Sequence, residues 1–214
     1  MERTLPLGKP RLRGVSHEMA FFAALGAGAV LIALAPPRAV LAAAVYAVSL
    51  ATMLGTSALY HRPRWSPGPR RWMRRADHAA IFVLVAGTYT PFTLLLPAHG
   101  ATMLALAWGG AALGILQSFF WVTAPRPLVA ALYISLGWAV TLFWPALHAA
   151  LGATGLFFLL LGGVLYSAGA VVYASRRPDP APAVFGYHEI FHAFVVAAAV
   201  CHFGVVVGAV RALR

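Results

Sequence analysis

The sequence predicts an all-α integral membrane protein: a seven-transmembrane helix bundle without a separate soluble domain. Three observations support this fold class. The 214 residues are 61% hydrophobic and 10% charged, with a mean hydropathy of +0.81, whereas a soluble domain carries about 25% charged residues. Apolar stretches of about 20 residues, the length that crosses a bilayer, recur along the chain. The basic residues lie mostly between these stretches.

Turn signals rich in proline and arginine separate most of the apolar stretches. We predict seven spans, at residues 19–35, 39–60, 76–96, 101–122, 128–147, 152–174 and 187–210. The predicted domain organisation is an N-terminal segment at 1–18, one membrane domain at 19–210 and a short tail at 211–214. An alternative for the first stretch is a signal peptide with a cleavage site at 33–35. The length of the stretch favours a span. The single cysteine, Cys201, excludes an intramolecular disulfide.

The charge distribution predicts the orientation. The chain has 16 basic and 5 acidic residues, a net charge of +11. Such a charge can indicate nucleic-acid binding, but here the basic residues flank apolar stretches, so we expect a cell-membrane protein and no nucleic-acid partner. With a cytoplasmic N-terminus, all basic residues except Arg38, Arg211 and Arg214 lie on the cytoplasmic side. The positive-inside rule therefore predicts a cytoplasmic N-terminus and an outer C-terminus.

Four titratable residues lie at the predicted cytoplasmic ends of three different spans: His61, Asp77, His188 and His192. Ionisable groups in membrane spans are costly and indicate function. His188 and His192 are four residues apart, so they share one face of a helix and suit two imidazoles on one ion. Three histidines and a carboxylate predict a zinc site, although iron and copper also accept imidazole. The simpler interpretation of each residue alone is a side chain that reaches interfacial water.

Neighbouring residues are expected to support these four. Ser57 precedes His61 by one helical turn, on the same face, and is expected to hydrogen-bond Asp77 or a water beside it. His78 adjoins Asp77 and is expected to orient it, with a neutral interface histidine as the alternative. Glu189 adjoins His188 and is expected either to support the ligands or to face the headgroups.

Other histidines lie outside the predicted ligand set. His17 and Glu18 lie at the cytoplasmic end of the first span, from which either could reach the site, but neither belongs to the predicted ligand set. His202 follows His188 by about 21 Å of helix, too far to share one ion. We expect His202 to hydrogen-bond inside the bundle or to line a cavity.

Three strings carry a family resemblance: residues 57–61 (Ser-Ala-Leu-Tyr-His), residues 77–91 (beginning Asp-His-Ala-Ala-Ile-Phe) and residues 188–203 (beginning His-Glu-Ile-Phe-His). In this order they resemble the hemolysin III family, the bacterial branch of the progestin and adiponectin receptor (PAQR) group, over essentially the whole chain. The resemblance implies seven spans, a cytoplasmic N-terminus and a zinc ion near the cytoplasmic side. By motif position its ligands are His61, Asp77, His188 and His192, with Ser57 nearby.

The resemblance also implies candidate functions, because some relatives show ceramidase-like hydrolysis and the bacterial branch is named for haemolysis. The leading expectation is zinc-dependent hydrolysis of a lipid amide or ester, with Asp77 as ligand or general base. The expected partners are membrane lipids, including a lipid substrate, because the site lies within the inner leaflet. The alternatives are a lipid or membrane-state sensor with structural zinc, a pore-forming lytic protein, and an intramembrane metalloprotease. The last would use Glu189 in the His188-Glu189-x-x-His192 pattern.

Overall fold

The computed structural model describes residues 9–214, and this part of the chain consists of helices joined by loops. It contains seven α-helices: α1 (Val15–Ala33), α2 (Val40–His61), α3 (Pro67–Thr93), α4 (Gly100–Phe120), α5 (Arg126–Trp138), α6 (Trp144–Ser175) and α7 (Tyr187–Arg211). Short 3₁₀ helices precede α2 at Pro37–Ala39 and follow α5 at Ala139–Phe143. Within the described residues, the β-structure is limited to an isolated bridge between Ala181 and Phe185.

Among the described residues, five helical stretches are long and apolar enough to cross a membrane: Val15–Ala33, Pro37–His61, Gly100–Phe120, Arg126–Ser175 and Tyr187–Arg211. The outward surface agrees with this, since large apolar side chains such as Phe22, Leu41, Leu113 and Phe120 are exposed. Apolar exposure over a whole helix bundle is expected of a surface that faces lipid. The prediction of a multi-pass helical membrane protein is confirmed.

Two helices begin earlier than predicted. The helix α1 begins at Val15 and not at residue 19, and α3 begins at Pro67 and not at residue 76. Proline is favoured in the first helical turn and arginine is a good helix former, so the arginine-rich run continues α3 beyond its apolar part. Hydropathy does not indicate these helix starts, because it identifies the apolar part of a helix and not its first residue. The helix α3 is not among the five stretches, and its part after the arginines carries Asp77 and His78 among its apolar residues.

The chain reverses direction at Gly152, inside the segment from Trp144 to Ser175. Gly152 has φ 63° and ψ 179°, a backbone conformation essentially restricted to glycine. On either side of this turn the helices run antiparallel. The Trp138 indole donates a hydrogen bond to the Ser167 hydroxyl at 2.9 Å, and the Arg126 guanidinium lies 5.3 Å from the centre of the Tyr173 ring. The fifth and sixth predicted spans, 128–147 and 152–174, therefore correspond to the two arms of this hairpin.

Helices that follow one another along the chain pack side by side, and α7 closes the bundle by contacting α1, α2 and α3 as well as α6. Small residues permit the closest approaches, since a Cβ atom on Gly28 of α1 would lie 2.9 Å from the Ala47 Cβ of α2. This arrangement brings the ends of α1, α2, α3 and α7 together. We call this end the basic end, because it carries Arg13, Arg62, Arg74 and Arg126 among others.

Candidate metal centre

Three histidines converge at the basic end of the bundle. His61 is the last residue of α2, and His188 and His192 occupy the first two turns of α7. One ring nitrogen from each lies within 4.8 Å of the others, and all three residues are buried. The Nε2 atoms of His61 and His188 are 3.2 Å apart. The structure thus brings together three of the four residues that the sequence predicts as metal ligands.

The fourth predicted ligand, Asp77, borders the cluster. Its Oδ2 atom lies 3.9 Å from the Nε2 atom of His61. The buried Ser57 side chain lines the same cavity as Asp77. This places the Asp77 carboxylate at one edge of the three imidazoles, and the Ser57 hydroxyl lies one helical turn before His61 on α2.

The donor set fits a zinc ion. Two nitrogens that bind one tetrahedral zinc at about 2.0–2.1 Å stand roughly 3.3 Å apart, close to the 3.2 Å between His61 and His188. Imidazole nitrogens with a carboxylate suit zinc and other first-row transition metals better than magnesium or calcium. Burying three imidazoles side by side is otherwise costly, and a bound ion would satisfy the ring nitrogens that converge there.

A fourth histidine, His17 of α1, also lies at the cluster, although it is not one of the predicted ligands. Its ring stacks on the His192 ring with 3.8 Å between centroids and 4° between planes. It is 2% exposed, and neither ring nitrogen has a hydrogen-bond partner. The available signal was a titratable residue at the start of an apolar stretch. The rotation of α1 that turns it inward could not be read from the sequence.

Glu189 lies beside the cluster but its carboxylate is engaged elsewhere. Its Oε1 atom accepts a 2.5 Å hydrogen bond from Nε of Arg13, and its Oε2 atom accepts one of 2.8 Å from the Gly186 backbone N–H at the start of α7. Glu189 therefore joins the N-terminal segment to α7. In this arrangement neither oxygen is free to act as the general base of a metalloprotease.

His78 lines the same cavity as Asp77. Its Nδ1 atom is buried without a hydrogen-bond partner, and its backbone carbonyl accepts a hydrogen bond from the Tyr133 hydroxyl at 3.2 Å. The role of His78 in orienting Asp77 stays a prediction.

Residues 9–14 run across the basic end. The Arg11 and Leu12 backbone N–H groups donate hydrogen bonds of 3.0 and 3.1 Å to the carbonyls of Ala183 and Val184, in the α6–α7 loop. Lys9 donates a side-chain hydrogen bond of 2.9 Å to the Arg62 carbonyl. The pKa of the Lys9 ammonium group is lowered, mainly by partial burial and to a smaller extent by the nearby positive charges of Arg13 and Arg62. This segment therefore bridges the ends of α2 and α7.

Gly14 ends this segment against the histidine cluster. It has φ 81°, and a Cβ atom there would lie 2.7 Å from the His61 Cβ. Glycine is required both for the left-handed backbone and for the close approach. The adjoining Glu18 forms an ion pair of 2.6 Å with Arg62. The start of α1 is thus fixed directly over His61.

A cavity of about 370 Å³ opens from the cluster into the bundle. Near the cluster its wall includes Asp77 and Tyr133, and deeper inside it includes Leu84, Val195 and His202. The Nε2 atom of His202 is 3.0 Å from the Leu159 carbonyl oxygen. His202 therefore makes a hydrogen bond inside the bundle and also lines a cavity. The cavity is polar at the histidine end and mainly apolar beyond it, a combination that suits an amphiphilic molecule.

The fold and site define a class: multi-pass helical membrane proteins with a buried histidine cluster at one end of the bundle. A family model described as "Haemolysin-III related" matches residues 6–203. The chain belongs to the hemolysin III family, as the sequence motifs predicted, and is a multi-pass protein of the cell membrane.

Curated relatives agree with this assignment. The chain is 38% identical over 122 residues to a "Hemolysin-3 homolog" of Bacillus subtilis, a match that covers 56% of this chain and 54% of the relative. It is 36% identical over 160 residues to "Hemolysin-3" of Bacillus cereus, covering 74% of this chain and 70% of the relative. It is also similar to "ADIPOR-like receptor IZH2" of Saccharomyces cerevisiae, 50% identical over 52 residues, which is 22% of this chain and 16% of the relative. The last match is limited to a short segment of both proteins.

Proposed function

We propose that this protein is a zinc-dependent hydrolase of a lipid amide or ester. The observation that carries the proposal is the buried set of His61, His188 and His192, with Asp77 at its edge and a cavity leading from it. A site that only ties helices together requires no cavity. An amphiphilic lipid would fill the apolar part with its chain and bring its polar linkage to the histidines.

We propose seven spans, with the N-terminus in the cytoplasm and the C-terminus outside. Support comes from the antiparallel hairpin at Gly152, which divides the stretch from Arg126 to Ser175 into two arms, and from the apolar part of α3. Most arginines lie at the basic end, which by the positive-inside rule faces the cytoplasm. The packing of α1 on α2 and α7 favours a permanent span over a cleaved signal peptide.

Each residue has a role in the proposed reaction. His61, His188 and His192 would hold the zinc ion, which polarises a carbonyl and makes a bound water more acidic. Asp77 would accept the proton of the attacking water, and its place at the edge of the cluster leaves it free to do so. Ser57 would hold the Asp77 carboxylate in position through its hydroxyl group. The arginines around the opening attract anionic headgroups.

The first experiment is the metal content of the purified protein, by plasma mass spectrometry. We expect about one zinc per chain in the wild type and none in the His188→Ala/His192→Ala double variant. The matched control is His148→Ala, which removes an exposed histidine far from the cluster along the chain. A wild-type protein without metal would contradict the proposal.

The second experiment measures hydrolysis of a lipid amide, such as an N-acyl sphingosine, in proteoliposomes. We expect Asp77→Asn to lower turnover by about 100-fold or more, because general-base catalysis contributes typically 10²–10⁴-fold. The variant is expected to retain its elution volume in detergent. Zinc-loaded wild-type protein without turnover on lipid amides and esters would favour a structural metal instead.

A sensor with structural zinc is the second candidate function. The name of the yeast relative, a receptor, supports it, as does the way the cluster joins the ends of α2 and α7. This candidate predicts that chelation lowers the melting temperature and that no lipid is consumed.

Pore formation is a third candidate, which rests on the names of the Bacillus relatives. The buried core beyond the cavity includes apolar side chains such as Phe92, Met103 and Leu147. Such packing is unfavourable for a water-filled path along the bundle. A pore predicts dye leakage from vesicles that survives mutation of the histidines.

A further inference from the structure

His17 is a buried titratable residue that the proposed reaction does not use. Its ring stacks on the His192 ring, with an angle of 4° between the two ring planes and 3.8 Å between the ring centroids. By contrast, the rings of His61, His188 and His192 meet one another at 59° to 65°. The stack therefore differs from the other contacts in the cluster.

Hydrophobic packing alone does not account for this residue. A histidine buried without hydrogen bonds carries a desolvation cost that an apolar ring would avoid, and both nitrogens of His17 lack a partner. Direct ligation does not account for it either. The group of side chains whose ligand atoms lie within 4.8 Å of one another, among residues 9–214, is His61, His188 and His192.

The neighbouring ligand lacks an ordinary support. A histidine that binds a metal usually donates its second ring N–H to a carboxylate or carbonyl, and this hydrogen bond fixes the orientation of the ring. The Nδ1 atom of His192 is buried without any such partner. The flat face of His17 lies against the His192 ring, where it restricts rotation about the Cβ–Cγ bond.

The backbone that carries His17 is itself held in place. Gly14 packs on His61, Glu18 pairs with Arg62, and Arg13 pairs with Glu189 of α7. These contacts restrict the backbone on both sides of His17, so the position of its ring is fixed. We propose that His17 is a positioning residue that fixes the plane of the His192 imidazole for metal binding, and so couples α1 to the metal centre.

This inference rests on the proposed metal site and is tested on the intact protein. The variants are His17→Leu, which removes the flat ring, and His17→Phe, which restores one; His148→Leu is the control at an exposed histidine. Zinc affinity is measured by competition with a chromogenic chelator. The Co²⁺-substituted protein is compared by visible absorption, which reports ligand geometry and does not depend on turnover.

We expect His17→Leu to weaken zinc binding by about 10- to 100-fold, the usual effect of removing a ligand's support, and to change the Co²⁺ spectrum. His17→Phe restores most of the affinity and the wild-type spectrum, and His148→Leu leaves both unchanged. If His17→Leu does not fold, His17→Gln is expected to show the same loss.

Unchanged affinity in His17→Leu or His17→Gln overturns the inference while the metal site stands. Loss in His17→Phe equal to that in His17→Leu overturns it too, because stacking would not be the cause. A wild-type protein that binds neither Zn²⁺ nor Co²⁺ removes the proposed function, and the role of His17 with it.

Discussion

At the scale of single residues, two arginine–carboxylate ion pairs hold the beginning of α1 against α2 and α7, and they differ in exposure to solvent. The Arg13–Glu189 pair is largely enclosed, with side-chain exposures of 20% and 3%. The Glu18–Arg62 pair is open to solvent, with exposures of 38% and 42%. The two ion pairs have similar N–O distances, but we expect the exposed pair to contribute less to the free energy of unfolding, because water screens its charges.

We expect Arg13→Ala to lower the free energy of unfolding by about 3 kcal/mol, since it leaves a buried carboxylate without its partner. The matched change Arg62→Ala is expected to cost less than about 1 kcal/mol. Thermal or denaturant unfolding in detergent measures both. An equal loss of unfolding free energy in the two variants would show that burial of the Arg13–Glu189 pair does not increase its contribution to stability.

At the scale of elements, the sequence predicts helices well where an apolar stretch ends at charged or proline residues. The predicted spans at 39–60 and 187–210 correspond to α2 (Val40–His61) and α7 (Tyr187–Arg211). The early start of α3 was missed, because a basic helical turn looks like a loop on a hydropathy scale. Convergence of His61, His188 and His192 was predictable because the charge distribution assigns span ends to one side.

The contact of His17 with His192 was not predictable in this way. The helix α1 is apolar around most of its circumference, so its sequence does not indicate which face turns inward. Which faces of two helices meet is decided by packing across the bundle, for example the approach of Gly28 to Ala47.

The hairpin between the two arms of α5–α6 gives a prediction at the same scale. We expect Gly152→Ala to destabilise the protein by about 1–3 kcal/mol, because a Cβ atom is strained at positive φ in this region. Its control is Gly109→Ala in α4, where a Cβ atom meets no neighbour within 4 Å. That change is expected to be neutral or stabilising by up to about 1 kcal/mol, from helix propensity. The melting temperatures of the two variants are compared. An unchanged melting temperature in Gly152→Ala would contradict the positive φ at this turn.

At the scale of the whole molecule, the arrangement of helices predicts the side on which each loop lies. An odd number of spans puts the two ends of the chain on opposite sides of the membrane. We expect alkaline phosphatase fused after Arg214 to be active in a bacterial host, and a green fluorescent protein at the same place to be dark. Fusions after Pro125, which follows α4, should behave in the opposite way. An inactive phosphatase at the C-terminus would require an even number of spans.

The wide spacing of the clustered histidines along the chain has a consequence for biogenesis. His61 and His188 are 127 residues apart, an interval that takes a ribosome roughly 6–25 s at about 5–20 residues per second. During that time α1 and α2 lie in the bilayer with His17 and His61 lacking their partners on α7. The cluster is completed only when the last helix inserts, so metal uptake would report that the newly made bundle is complete.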